Sequence, residues 1–99
     1  MAVRIEERLK KLLTFPGVKA FLVINYEGVP IKTSFADDDP IAIHYAALMT
    51  RLTDKLRKVV KDLDATNEFK WIRIRTKKDE IVVAPEKDFI LVVVQEPTD

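Results

Sequence analysis

The chain has few side chains that could carry out chemistry, and their spacing assembles no reaction centre. His44 is the only histidine, and a general base would also need a nucleophile and an orienting partner that no motif supplies. The acidic run Asp37–Asp39 precedes Pro40, whereas calcium loops alternate their acidic ligands and continue downstream. We therefore interpret this run as favourable charge at a helix start. Because cysteine and a phosphate-binding glycine loop are also absent, we predict no catalytic residue, no metal site and no cofactor.

A basic set near the end of one predicted strand is the remaining candidate for binding an anion. Four basic residues between positions 73 and 78 lie close to Trp71, and such mixtures occur in proteins that bind single-stranded nucleic acid. Asp79 and Glu80 adjoin the set, however, and the net charge of the chain is only +1. So weak a field does not attract nucleic acid, and we expect no nucleic-acid partner.

Length and hydropathy indicate one domain that does not enter a membrane. The chain has 99 residues, which is an ordinary length for a single domain. No apolar run approaches the length of a membrane span. Residues 1–8 mix both charges without the apolar segment of a signal peptide. We therefore expect a cytoplasmic protein with no membrane insertion.

The hydrophobic pattern predicts five strands whose polarity fixes their places in one sheet. The run Phe89–Gln95 is apolar on both faces and rich in valine, so it belongs in the middle of a sheet that is covered on both sides. The segments Val18–Asn25 and Ile81–Ala84 show the same pattern. By contrast, Val29–Ser34 contains a proline and Phe69–Thr76 has one polar face, so both are expected at edges.

Two helices and three hairpins complete the predicted topology. A short amphipathic helix contains Ile5, Leu9, Leu12 and Leu13, and a long helix runs from Pro40 to about Leu63. Hairpins joining strands one to two, three to four and four to five leave only the antiparallel order 2-1-5-4-3. The predicted fold class is α/β, in three layers α/β/α, with the short helix on one face and the long helix on the other.

The long helix is too long for the sheet that it covers. At about 1.5 Å per residue it extends roughly 35 Å, whereas a strand of this size spans about 22 Å. Part of its apolar stripe therefore needs another surface. The stripe consists of Ile41, Tyr45, Leu48, Leu52, Leu56, Val59 and Leu63, widened by Met49 and Val60.

Several strings along the chain resemble the roadblock-type dynein light chains. The resemblance extends over nearly all 99 residues and keeps the spacing between segments. It implies a single roadblock domain over residues 1–99. It also implies a non-catalytic, homodimeric subunit that binds the dynein intermediate chain and supports motor assembly and cargo attachment in the microtubule cytoskeleton. The matching strings are Asn25-x-Glu27-Gly28-x-Pro30-Ile31-Lys32, Tyr45-Ala46-x-Leu48-Met49, Arg73-Ile74-Arg75-x-Lys77-Lys78-x-Glu80-Ile81-x-Val83-Ala84-Pro85-x-Lys87-Asp88 and Val94-Gln95-x-Pro97.

Two alternatives stay open at this point. Other members of this fold bind small GTPases, so a regulator or scaffold of a small GTPase is the alternative function. The resemblance also does not distinguish cytoplasmic from axonemal dynein.

Two predicted surfaces would serve a dimeric scaffold. The predicted third strand is a long edge guarded only by two arginines, which favours pairing with a second copy. The predicted dimer interface comprises Tyr45, Leu48, Met49, Leu52, Ile72 and Ile74. On the other face of the sheet, the predicted partner-binding residues are Trp71, Arg73, Arg75 and Leu9.

Overall fold

The computed structural model describes residue 7 and residues 14–97, which form one antiparallel sheet and one long helix. The strands are β1 (Val18–Ile24), β2 (Pro30–Thr33), β3 (Ile72–Arg75), β4 (Glu80–Pro85) and β5 (Ile90–Gln95), and the helix is α1 (Ile41–Leu63). The strand order is β2-β1-β5-β4-β3, as predicted. The predicted short helix, with Leu9, lies outside the described residues.

Strand β5 lies at the centre of the sheet because both of its faces are apolar. It pairs with β1 on one side and with β4 on the other, with Val92 opposite both Leu22 and Val83. These three side chains are fully buried under α1. On the other face, Phe21 and Val23 form a second buried cluster. Side chains next to β5 are therefore buried on both faces of the sheet, which is consistent with the prediction of a central strand covered on both sides.

The predicted edge strands are at the edges, but both are shorter than expected. Strand β2 spans four residues and includes Pro30, which cannot donate to a further strand. Strand β3 begins at Ile72 and not at Phe69, so Trp71 lies just before the ladder. Glu80, which precedes the predicted strand Ile81–Ala84, is the first residue of β4 and is buried.

The turn between β1 and β2 follows its sequence signature. The Asn25 carboxamide oxygen accepts hydrogen bonds from the backbone N–H groups of Glu27 and Val29, each at 3.0 Å. Gly28 has a φ of 87°, a backbone conformation that other residues rarely adopt. The asparagine and the glycine together therefore fix the hairpin.

Helix α1 faces the sheet with small side chains and not with the centre of its predicted stripe. Its first N–H, at Ile41, donates to Asp39 Oδ1 at 3.0 Å, as expected for an acidic residue before a helix. The buried helix residues are Ala42, Ala46 and Thr53. Small residues let the helix lie close to the sheet, and they rotate the larger leucines of the stripe away from it. No described helix has the length and apolar character required to cross a membrane.

Candidate protein-binding surface

One side of α1 exposes a row of large apolar side chains. We call this row the α1 flank, and its members lie within about 60° of one another on a helix with 100° per residue. In the isolated chain Ile41 is 37% exposed, Leu48 44%, Val59 41% and Leu63 82%. An apolar surface of this kind on a folded domain is typical of an interaction site. The α1 flank consists of Ile41, Tyr45, Leu48, Leu52, Val59 and Leu63.

The α1 flank is oriented toward the β3 side of the sheet. On the opposite side of the helix, Arg57 contacts Tyr26 in the β1–β2 turn, with 2.8 Å between Nη2 and Oη. On the flank itself, the charge of Asp79, in the β3–β4 turn, raises the pKa of Tyr45. Tyr45, Ile72 and Ile74 also pack against the same buried core, so the flank and β3 share the α1 side of the sheet.

Tyr45 connects the flank to the core. Its ring stacks on Phe35 with 5.9 Å between the ring centroids. Burial raises the pKa of the Tyr45 phenol, and the nearby Asp79 carboxylate raises it further. Asp79 in turn forms an ion pair with Lys19, with 2.7 Å between Oδ1 and Nζ. The Lys19–Asp79 ion pair thus connects β1 to the β3–β4 turn, and Tyr45 lies within the influence of its charges.

Within the described sheet, β3 has β4 as its only neighbour and leaves one edge of its backbone open. Ile72 and Ile74 point toward α1, where they are half-buried against the main core. The two faces of β3 differ as predicted, since Arg73 and Arg75 alternate with these isoleucines. Of the predicted interface residues, Met49 and Leu52 are also half-buried, and Leu48 is exposed. The structure thus brings all six predicted interface residues to one side of the domain.

The predicted partner-binding side chains lie on or beside β3. Trp71 is 59% exposed immediately before the strand. Arg73 is not free in solvent, because its Nε lies 2.7 Å from Glu80 Oε1. Arg75 donates from Nη1 to the carbonyl of Thr76. Leu9 lies outside the described residues, so its predicted role stays a prediction.

Glu80 is the residue of this surface that sequence reasoning missed. Its side chain is only 3% exposed, although it is charged, and the ion pair with Arg73 compensates for its burial. In the β3–β4 ladder Glu80 lies opposite Arg75, one diagonal step from Arg73. The sequence did contain a signal for this ion pair, because Arg73 and Arg75 on one strand face Glu80 at the start of the next.

The candidates for chemistry form no catalytic or metal-binding centre in the part of the chain that is described. His44 is exposed on α1, and Asp39 is occupied as a helix cap. No group of three or more potential metal ligands lies together among residues 7 and 14–97. The described residues therefore form an α/β domain with one open sheet edge and with exposed apolar side chains on its helix.

Comparison with known proteins assigns this domain to a family. The family model of the Roadblock/LC7 domain matches residues 4–96. The chain therefore belongs to the Roadblock/LC7 domain family, as its resemblance implied.

Solved structures share the fold at low sequence identity. A Roadblock/LC7 domain from Streptomyces avermitilis is 16% identical, with a TM-score of 0.78, covering 91% of this chain and 73% of that one. The gliding protein MglB from Thermus thermophilus is 19% identical, with a TM-score of 0.77, covering 95% and 72%. A structure of MglB with a tetrameric arrangement is 19% identical, with a TM-score of 0.79, covering 95% and 71%.

Proposed function

We propose that this chain is a non-catalytic, homodimeric scaffold that binds a segment of a larger protein. The observation that carries the proposal is the α1 flank, where Leu48 and Leu63 are exposed, together with the open edge of β3. Both features are unfavourable in a monomer, since apolar surface meets water and an uncapped edge invites pairing. A second copy would cover both at once.

The proposed dimer has two-fold symmetry. Strand β3 pairs antiparallel with its copy, which gives a ten-stranded sheet, and the two α1 flanks pack against each other. A two-fold contact uses the same patch twice, so each exposed leucine contributes twice. We expect a total buried area of at least about 1,600 Å², the usual size for a stable contact. The proposed interface residues are Tyr45, Leu48, Met49, Leu52, Ile72 and Ile74. That an MglB relative assembles into a tetrameric arrangement supports self-association as a family property.

The proposed partner site is the opposite face of the paired β3 strands. There Trp71 offers an exposed aromatic anchor, and Arg73 and Arg75 add positive charge. A groove of this composition suits an amphipathic helix with apolar and acidic side chains. The predicted N-terminal helix, with Leu9, would form its wall.

Two partner classes fit such a scaffold, and different observations favour them. The solved structures reported above are a Roadblock/LC7 domain from a bacterium and two MglB proteins, and no dynein light chain is among them. Because other members of this fold bind small GTPases, this favours a regulator or scaffold of a small GTPase over a motor subunit. The strings that run from Asn25 to Pro97 favour the dynein intermediate chain. In that case the protein would be a light chain of the microtubule motor.

Capture of partners from the source cell distinguishes the two classes. The tagged protein is used as bait with either a non-hydrolysable GTP analogue or GDP in the lysate. A GTPase regulator should capture a GTPase in amounts that depend on the nucleotide. A motor light chain should capture the same amount of an intermediate chain with the GTP analogue as with GDP. If neither protein is captured by the folded dimer, both partner assignments are wrong.

Substitution of Trp71 tests the partner site itself. Aromatic anchors commonly contribute about 2–4 kcal/mol, so Trp71→Ala should weaken binding of the captured partner strongly. Ile31→Ala is a matched control, because Ile31 is 61% exposed on the far edge of the sheet. Titration calorimetry with both variants, after each is shown to be a folded dimer, measures the difference. Wild-type affinity in Trp71→Ala would place the site elsewhere.

A further inference from the structure

A basic cavity lies at the end of the sheet opposite the β3–β4 turn. Its volume is about 400 Å³, and it opens between the C-terminal part of α1, the loop before β3 and the β4–β5 turn. Four cationic side chains and two carboxylates line it, an excess of two positive charges. The whole chain carries only +1, so positive charge is concentrated here. None of its lining residues belongs to the α1 flank or to the partner-binding set proposed above, although Lys70 directly precedes Trp71.

Most of the cations in this cavity have no carboxylate partner among the described residues. Lys70 is the exception, with 2.6 Å between its Nζ and Glu68 Oε1. Arg57 donates to the Tyr26 hydroxyl and lies 4.6 Å from the centre of its ring. Lys61 donates to a backbone carbonyl at 3.3 Å.

Lys87 forms no ion pair with any described residue, and its side chain is exposed. Three of the four cations can therefore contact an incoming anion without first breaking an ion pair. By comparison, Lys19 and Lys58 each lie within ion-pair distance of a carboxylate.

The cations around the cavity lower the pKa of Glu68, one of the two carboxylates that line it. Its pKa lies below the usual 4.5, first because of the hydrogen bond from Lys70 and then because of the charge of Lys70. Lys61 and Arg57 lower it further from across the cavity. An incoming carboxylate near Lys61 and Arg57 would experience the attraction of these two cations, but not the hydrogen bond that Lys70 already gives to Glu68.

We propose that this cavity binds a short acidic peptide segment of a partner protein, with side-chain carboxylates contacting Arg57, Lys61 and Lys87. Two resident carboxylates, those of Glu68 and Glu86, line the cavity together with the four cations. Single charges spaced along a peptide can each contact a different cation at a distance from these carboxylates, whereas a phosphate places its whole charge at one point and contacts fewer of the cations. Nucleic acid is disfavoured as well, because the one aromatic residue lining the cavity, Phe69, is half-buried and offers little surface for base stacking.

Nuclear magnetic resonance with a hexaglutamate peptide tests this assignment directly. Added to the isotope-labelled protein at low salt, the peptide should shift the amide signals of residues 57, 61, 68–70, 86 and 87, and added salt should reverse the shifts. Hexaglutamine is the uncharged control and should leave these signals in place. Shifts that spread over all basic residues, or none in the cavity, would overturn the proposal.

Charge reversal shows whether the cavity itself is responsible. Lys61→Glu combined with Lys87→Glu should weaken hexaglutamate binding by about tenfold, because two attractions become repulsions. Lys77→Glu combined with Lys78→Glu makes the same change in net charge at the β3–β4 turn, at the far end of the sheet, and should have less than about a third of that effect because salt screens distant charges. If both double variants lose the same affinity for hexaglutamate, the loss follows from net charge alone, and the cavity is not a specific binding site.

Two further probes separate the peptide from other anions. Inorganic phosphate that competes with hexaglutamate at equal concentration would reassign the cavity to phosphate groups. A single-stranded RNA oligonucleotide that binds more tightly than hexaglutamate at the same salt would reassign it to nucleic acid. The proposal requires that neither occurs. These experiments use no motor or GTPase component, so their outcome is independent of the partner class proposed above.

Discussion

Replacing Leu48 by glutamate should break the proposed dimer while leaving the fold intact. Full burial of a leucine side chain contributes roughly 2.5 kcal/mol, and in the isolated chain 44% of Leu48 is still exposed. Covering that remainder is therefore worth about 1 kcal/mol per protomer, or about 2 kcal/mol for a two-fold contact. A buried unpaired carboxylate on each side adds a penalty of at least similar size. We expect the dissociation constant of the dimer to rise by about 1,000-fold.

Sedimentation velocity over a micromolar concentration series measures this change, with circular dichroism to verify the fold. Ala47→Glu is the matched control, because Ala47 is the preceding residue, is exposed, and lies about 100° further round the helix. It adds the same charge and should leave the dimer unchanged. If Leu48→Glu remains as dimeric as Ala47→Glu, the α1 flank is not the interface.

Three further outcomes follow from individual residues. Thr53→Val should raise the free energy of unfolding by about 1 kcal/mol, because the Thr53 hydroxyl is buried without a hydrogen-bond partner in the described structure; a lower melting temperature would contradict this. Ile74→Asp should give a monomeric or insoluble protein, since an unpaired charge beneath α1 costs several kcal/mol; an unchanged dimer with an unchanged melting temperature would show that Ile74 does not face α1. The Tyr45 phenol has a raised pKa, so the folded state holds its proton more tightly than the unfolded state. Stability should therefore be retained below the ordinary pKa of 10.0 and fall as pH rises from there through the folded pKa; denaturation of wild type and Tyr45→Phe across this range should show that the variant loses less, and identical losses would count against the assignment.

The sheet order was predictable from polarity, because only three strands are apolar on both faces. Pro30 and the alternation of Arg73 with Ile74 marked the two edges, and the structure confirms both positions. The ends of β3 were not predictable. Phe69 and Trp71 favour strand by their residue types, but the β3–β4 ladder ends at the Ile72–Val83 pair, two residues before β4 itself ends at Pro85.

The orientation of α1 about its own axis was predicted less well than its length. A pattern of large apolar residues draws attention to Leu48 and Leu52, whereas the residues against the sheet are Ala42, Ala46 and Thr53. Small residues carry little weight in a hydrophobic pattern, although they permit the closest approach between a helix and a sheet. The burial of Glu80 was missed for a related reason, since a charged residue beside Lys78 and Asp79 is typical of a turn.

The molar mass of the protein in solution tests the central claim most directly. Light scattering after gel filtration at micromolar concentration should give twice the 11.4 kDa chain mass, and that mass should fall to that of one chain for Leu48→Glu but not for Ala47→Glu. A wild-type protein that elutes with the mass of a single chain would contradict the account.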